Sequence, residues 1–438
     1  MSKLSLNVKD FKAIAKANIQ LDGITVLSGI NSSGKSTLSK LLYYIVKLTL
    51  EFENTQINNL SNEWERVIFS LTRLSDDFQI ESEGDIYRLW NAKSKSLDIE
   101  SLHRLFCSLL SEIEQSFLKR EQVKSFTDKE ITRIINALTI RIRQGSKNIK
   151  PFNNVTDLFN NIRTLSDDRL KETHIRIKSR PLLLFQSELS QYFKSYNVPV
   201  EFFEDDTSIL DNKSKRLNNF FSLEHIFYSD TPMAISNYTY NRRFSDSTDL
   251  HWEFLRNTIL NSPTVSLNSK QKKANEEISK IISGKVSLKK SEFDRGFNYT
   301  RSTDNLTIDL VDSATGIKSF ALLQILLTEG FLNEKTLLIL DEPEAHLHPQ
   351  WIVEYARILI LLNKKLGVRF MIASHNPDMI SALRYISEKE GILDQMHFYL
   401  AEKQDNTEQF IYRDLNNDIE PIFASFNIAL DRINQYGV

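Results

Sequence analysis

The sequence predicts an α/β fold, a mixed sheet flanked by helices and carrying a mainly helical insertion, and three observations predict it. Residues 23–46, GITVLSGINSSGKSTLSKLLYYIV, read as a buried strand, a tight loop and a helix. Two later runs are mainly apolar and lead into polar residues: TLLILD at 336–341, ending in an acid, and GVRFMIA at 367–373, followed by Ser374, His375 and Asn376. That is the pattern of interior parallel strands whose carboxyl ends face a ligand. Between the first helix and about residue 222 the chain is charged and glycine-poor, with apolar residues at three- and four-residue spacing.

Size and charge set the outer bounds. At 438 residues the chain exceeds the usual single domain. Lys and Arg total 55 against 57 Asp and Glu, so no global field marks a nucleic-acid or membrane partner. Cys107 is the only cysteine, which fits a reducing compartment. The opening MSKLSLNVKDFKAIAK has no apolar core of a signal peptide, and no apolar run approaches the roughly 18 residues of a membrane span. The expectation is a cytoplasmic protein with no membrane contact.

The elements follow in chain order. Leu4, Leu6 and Val8 alternate as a half-buried strand, with Ile14 and Ile19 continuing the pattern. In the phosphate-loop pattern G-x-x-x-x-G-K-S, Gly29 and Gly34 enclose Ile30, Asn31, Ser32 and Ser33, and Lys35 and Ser36 follow. Glycines let successive backbone N–H groups curl round phosphate oxygens, and the helix starting near Lys35 points its positive end at the same anion. Lys35 is placed for the β- and γ-phosphates of ATP, Ser36 for Mg²⁺ and Thr37 for the α-phosphate. The alternative is a chance glycine turn, against which the strand before and the amphipathic helix after both argue.

The insertion holds LHRLFCSLLSEIEQSF, DKEITRIINALTIRIR and RPLLLFQSELSQYF, each with helical periodicity, in pieces too short for long coiled-coil arms. Within it, Arg141, Arg143, Lys147 and Lys150 form a cationic run that suits a DNA or RNA backbone, although a solvated face is the plainer reading. The chain then divides as 1–47 with the phosphate loop, 48–221 as insertion, and 222–438 as the remainder of the ATP-binding fold.

The third segment carries most of the chemistry. Asp341 ends its strand where a carboxylate would hold Mg²⁺ through water. Glu342, next along the chain, can orient or deprotonate an attacking water. Glu344, His346 and His348 follow within the same LLILDEPEAHLHPQ stretch. A zinc or manganese site is the rival reading, but histidines at i, i+2 off a strand need not converge, and both are better placed to shape the turn into Pro349. His375 stands at the end of the next apolar strand, where it could touch a γ-phosphate.

GINSSGKST, DSATGIKSFALLQILL, LLILDEPEAHLHPQ and ASHNPDMI together resemble the ATP-binding-cassette (ABC) ATPase superfamily, and within it the RecF/SMC/OLD-like branch. The likeness is nearest to stand-alone ATPases of bacterial anti-phage defence systems of the Septu type and to the ATPase halves of OLD-family nucleases. It covers residues 1–47 and about 222–400, with DEPEAHLHP its most specific element. It implies an ABC-type P-loop ATPase head that hydrolyses ATP with Mg²⁺. It also implies a homodimer or higher oligomer in which two heads sandwich two ATP molecules, a signature loop of each completing the other's site. Here the matching segment is DSATGIKS, in which Ser313 or Thr315 would supply a hydroxyl and Gly316 an N–H to the γ-phosphate. Ala314 and Thr315 depart from the serine and glycine usual before that glycine.

OLD enzymes carry a nuclease domain after the ATPase, and no acidic cluster of that kind is legible after ASHNPDMI. The leading expectation is therefore an ATP-driven switch controlling a separate effector, a nuclease or toxin acting in trans. A RecF-like repair ATPase that binds DNA directly, and an ATP-binding scaffold with negligible turnover, are the competing functions.

Overall fold

A computed structural model describes residues 2–78, 80, 85–123, 127, 129–134, 154–195, 198–211, 213–235, 250–262, 265–290 and 295–424. The cationic run at 141–150 and the helical pattern of ALDRINQY near the end lie outside the described residues. The chain divides into two units, one of residues 1–50 with 182–438 and one of residues 51–181.

The first unit opens with β1 (Leu4–Phe11) and β2 (Ile14–Gln20), an antiparallel pair, followed by β3 (Ile24–Ser28) and α1 (Lys35–Leu50). The described elements of the second unit are helices, among them α2 (Phe52–Asp77), α3 (Ile86–Lys93), α4 (Ile99–Val123) and α5 (Val155–Ser179). It has its own core, in which Trp64 stacks on Phe106 at 5.0 Å and Trp90, Phe117 and Phe159 are buried. The Arg163 guanidinium pairs with Glu114 across α5 and α4.

The first unit resumes with α6 (Leu182–Phe193), β4 (Val200–Glu204), β5 (Thr207–Leu210), β6 (His225–Ser229), α7 (Leu250–Leu260) and α8 (Ser269–Ile281). A small antiparallel sheet follows, of β7 (Gly284–Lys290), β8 (Arg295–Arg301) and β9 (Thr307–Asp309). Then come α9 (Thr315–Thr328), β10 (Thr336–Asp341), α10 (Pro349–Leu366), β11 (Arg369–Ala373), α11 (Pro377–Glu390), β12 (Met396–Lys403) and β13 (Phe410–Asp414).

The reading of 48–221 as one insertion needs correction at its far end. Residues 182–221 lie in the first unit. Val200 and Phe202 alternate inward, and β4 pairs antiparallel with β1 through Leu6↔Phe202. A backbone pairing with a strand near residue 6 cannot be read from local helical periodicity, which is why the boundary was missed.

The ten strands of the main sheet run in the order β5-β4-β1-β2-β13-β12-β3-β11-β10-β6. Its block β12-β3-β11-β10-β6 is parallel throughout. In that block β3, β10 and β11 are buried at every position, as expected of strands covered on both faces. The fold is thus a mixed α/β sheet flanked by helices. Local signals end the helices that flank the site: Pro349 stands at the first position of α10 and Gly367, at φ 73°, closes it. Asn376 caps α11 by accepting from Met379 N–H.

Candidate active site

Three stretches remote in sequence meet because their strands are neighbours in register. Leu27 of β3 pairs with Ala373 of β11, and Ala373 pairs with Asp341 of β10. The loop after β3, the acids ending β10 and the histidine after β11 therefore leave the sheet side by side, at its carboxyl edge, where α/β sheets place their ligands.

The loop Gly29–Lys35 is built for close approach. Gly29 has φ 147°, and a Cβ there would stand 2.8 Å from the Ala401 methyl; Gly34 has φ 95°. Ser32 takes the left-handed conformation at φ 66°. Asn31 and Ser32 are exposed at the tip and Ser33 is buried, its Oγ without a hydrogen-bond partner and its carbonyl accepting from Tyr412 OH at 3.3 Å. Lys35 Nζ donates to the Gly29 and Ile30 carbonyls at 2.8 and 3.0 Å. Burial depresses the Lys35 ammonium, while Glu342, Asp341 and Glu344 oppose that shift by their charge. Ser36 is exposed and Thr37 half-buried in the first turn of α1.

Asp341 is buried. Its Oδ2 accepts from Tyr228 OH at 3.2 Å, and its Oδ1 has no hydrogen-bond partner. Burial raises this carboxyl; the Ser36 hydroxyl and the Tyr228 phenol hold it down, and Glu342 adds to the rise. Burial, then the charge of Asp341, pushes the Tyr228 phenol far up, so it remains a donor. An orphaned carboxylate oxygen beside a serine hydroxyl is a donor set that fits a hard cation such as Mg²⁺.

Glu342 turns sharply out of the strand at φ 49°, its N–H held by the Ala373 carbonyl at 2.8 Å. His375 Nδ1 lies 3.2 Å from Glu342 Oε1, both side chains nearly half exposed. Glu344, by contrast, is buried and its Oε1 accepts from Ser374 Oγ at 2.6 Å. Burial raises the Glu344 carboxyl, against which the Ser374 hydroxyl acts.

The remaining candidates lie apart from this group. Ser313 is buried and its hydroxyl donates to Leu310 O at 2.8 Å; Thr315 begins α9, and a Cβ on Gly316 would stand 3.0 Å from the Trp351 ring. None of these contacts reaches the phosphate loop. One turn further on, Ser319 shares a small cleft with Asp341 and Glu342. His346 and His348 are both exposed, and His348 is the residue preceding α10. Among the described residues no group of three or more His, Cys, Asp or Glu is gathered as a metal cage. Sequence reasoning missed Tyr228 and the Glu344–Ser374 bond. Tyr228 lies 113 residues from Asp341 and carries no motif, so nothing local could have found it.

A phosphate loop on one parallel strand, an acid pair on a second and a histidine on a third define a P-loop ATPase. The family whose sequence pattern matches residues 1–380 is the AAA ATPase domain family, and the chain belongs to it. Among solved structures it is similar to an Smc head bound to the C-terminal winged-helix domain of ScpA, at 11% identity over 96% of this chain and 98% of that one, with a TM-score of 0.37. An SMC head domain from Thermotoga maritima matches at 12% identity over 95% and 99%, TM-score 0.34. An ATP-binding cassette of an ABC transporter in its ADP conformation matches at 10% identity over 99% of both chains, TM-score 0.34. No curated protein matches. Among the described residues no helix is long and apolar enough to cross a membrane.

Proposed function

We propose that the chain is a Mg²⁺-dependent ATP-hydrolysing switch that pairs head to head on ATP and controls a separate effector, a nuclease or toxin, in bacterial anti-phage defence. The observation that carries the hydrolytic reading is the convergence of Lys35, Asp341, Glu342 and His375 at the ends of three adjacent, in-register strands. When bound with ATP, the magnesium ion would offset charge on the β- and γ-phosphate oxygens. Ser36 and Asp341 would hold it. The N–H groups of Gly29, Asn31, Ser32, Ser33 and Gly34, with Lys35 and Thr37, bind the phosphates; Lys35 exchanges the Gly29 and Ile30 carbonyls for phosphate oxygens. Glu342 draws the proton from the attacking water, and His375 steadies Glu342 and meets the γ-phosphate.

Head-to-head pairing is supported by apolar side chains on the surfaces that would meet. Ile30 at the tip of the phosphate loop is 57% exposed and Val311, just ahead of Ser313, is 43% exposed. Ser313 or Thr315, with Gly316, would complete the partner's γ-phosphate site. The resemblance of DEPEAHLHP to defence ATPases supports the effector reading, and the helical unit offers the docking surface. Two states that differ by a bound γ-phosphate are what a partner can read.

The test has two arms. Purified protein should release phosphate from ATP only with Mg²⁺, and size exclusion should show ATP-dependent pairing. It should cut neither plasmid DNA nor structured RNA until a second protein is added. Cleavage that follows the pure chain through size exclusion would overturn the effector reading, and DNA-stimulated turnover would favour a repair ATPase.

A further inference from the structure

We propose that Glu344 is a positioning residue that acts through Ser374 to hold His375 against Glu342. This inference rests on the reading of the site given above. Glu342 and His375 sit on two different turns, one leaving β10 and one leaving β11, and their side chains are 41% and 47% exposed. A half-exposed pair of this kind does not hold its own geometry, because two mobile side chains lose more freedom than the contact returns. The geometry must come from what ties the turns together.

Two cross-ties do so. One is between backbones: Glu342 N–H donates to Ala373 O at 2.8 Å. The other comes from side chains. Ser374 Oγ donates to Glu344 Oε1 at 2.6 Å and accepts from Asn376 N–H at 3.1 Å, so this hydroxyl is committed in both directions. Ser374 is itself fully buried and its N–H donates to Leu27 O at 3.0 Å. His375 is thus suspended between two residues that are both anchored, and the anchor on the β10 side is Glu344. The backbone bonds fix Ala373 and Ser374, and the Ser374–Glu344 bond is the side-chain tie between the turn after β11 and the turn after β10.

Packing alone does not explain a glutamate here. Glu344 is 5% exposed and its Oε2 is buried without a partner. An apolar side chain would fill the same place without an unpaired polar atom, whereas only an acceptor can hold the Ser374 hydroxyl. The carboxylate also lies in the field of Lys35. If that were its role, its loss would act on nucleotide binding and leave the chemical step alone.

The experiment is steady-state turnover of Glu344→Ala, Ser374→Ala, His375→Ala, Glu344→Gln and the double variant Glu344→Ala with His375→Ala. Loosening a catalytic pair without removing it should lower kcat about tenfold in Glu344→Ala, with KM for ATP changed at most about twofold. Glu344→Gln, whose amide oxygen still accepts from Ser374, should recover most of the rate. In the His375→Ala background the Glu344→Ala change should cost at most about twofold more, since there is no imidazole left to position. A full tenfold cost in that background, or a raised KM with unchanged kcat, overturns this inference alone. Wild-type turnover by His375→Ala overturns the reading of the site and this inference with it. If Glu344→Ala fails to fold, Ser374→Ala, which removes the same bond from the other side, carries the same comparison.

Discussion

His375 Nδ1 and Glu342 Oε1 stand 3.2 Å apart although they leave different strands. The contact joins the proposed base to the histidine proposed to meet the γ-phosphate. Replacing Glu342 with Gln keeps the size and the hydrogen-bonding reach but removes the basic carboxylate. Turnover should fall by at least about 100-fold while ATP binding persists, as phosphate release and calorimetry would show. Hydrolysis at the wild-type rate would remove Glu342 from the base role.

Lys35 is the cation folded onto the loop it follows, donating to Gly29 and Ile30. Lys35→Ala should weaken ATP binding by more than about tenfold, because a charge-assisted contact to phosphate is lost along with the bonds that shape the loop. Calorimetric titration of MgATP into both proteins checks it.

Tyr228 OH donates to Asp341 Oδ2 at 3.2 Å, a bond that would orient the proposed magnesium ligand. Tyr228→Phe removes only the hydroxyl. The Mg²⁺ concentration giving half-maximal turnover should rise about tenfold, the scale on which partners of metal ligands act. An unchanged Mg²⁺ dependence would make the bond structural.

Arg369, at the start of β11 and 2% exposed, donates to Glu334 O at 2.6 Å and to Ser2 Oγ at 3.0 Å. It ties the chain start to the opposite, amino-terminal edge of the sheet. Arg369→Ala should cost about 2 kcal/mol or more in stability by emptying the place of a buried side chain and removing its bonds to Glu334 O and Ser2 Oγ, with kcat unaltered below the melting temperature. Denaturant unfolding and turnover, measured together, separate the two.

Glu344 supplies a pH prediction. Burial raises its folded-state carboxyl above the ordinary 4.5, so folding takes up a proton across a window that opens near 4.5 and extends upward. The stability this proton confers is whole below the window and lost as pH rises through it. Glu344→Gln removes that loss: its Tm should exceed the wild type's at pH 8, and the advantage should vanish below the window. A pH-independent difference in Tm would contradict the assignment.

The sequence by itself determined what depends on neighbours along the chain. The phosphate loop is legible because its glycines, lysine and serine act within nine residues of one another, and the mainly apolar runs of β3, β10 and β11 declare buried strands wherever they occur. From those runs it follows that Asp341, Glu342 and His375 stand at strand ends. Only the tertiary structure decided which strands are neighbours. That choice sets Leu27, Ala373 and Asp341 in one row, brings Tyr228 to Asp341 and Ser374 to Glu344, and sends β4 and β5 to extend the sheet beyond β1. Strand pairing is made by backbone groups that every residue possesses, so its partners leave no mark in side-chain order. Contacts such as Tyr412 to Ser33, 379 residues apart, exist only once the sheet has formed.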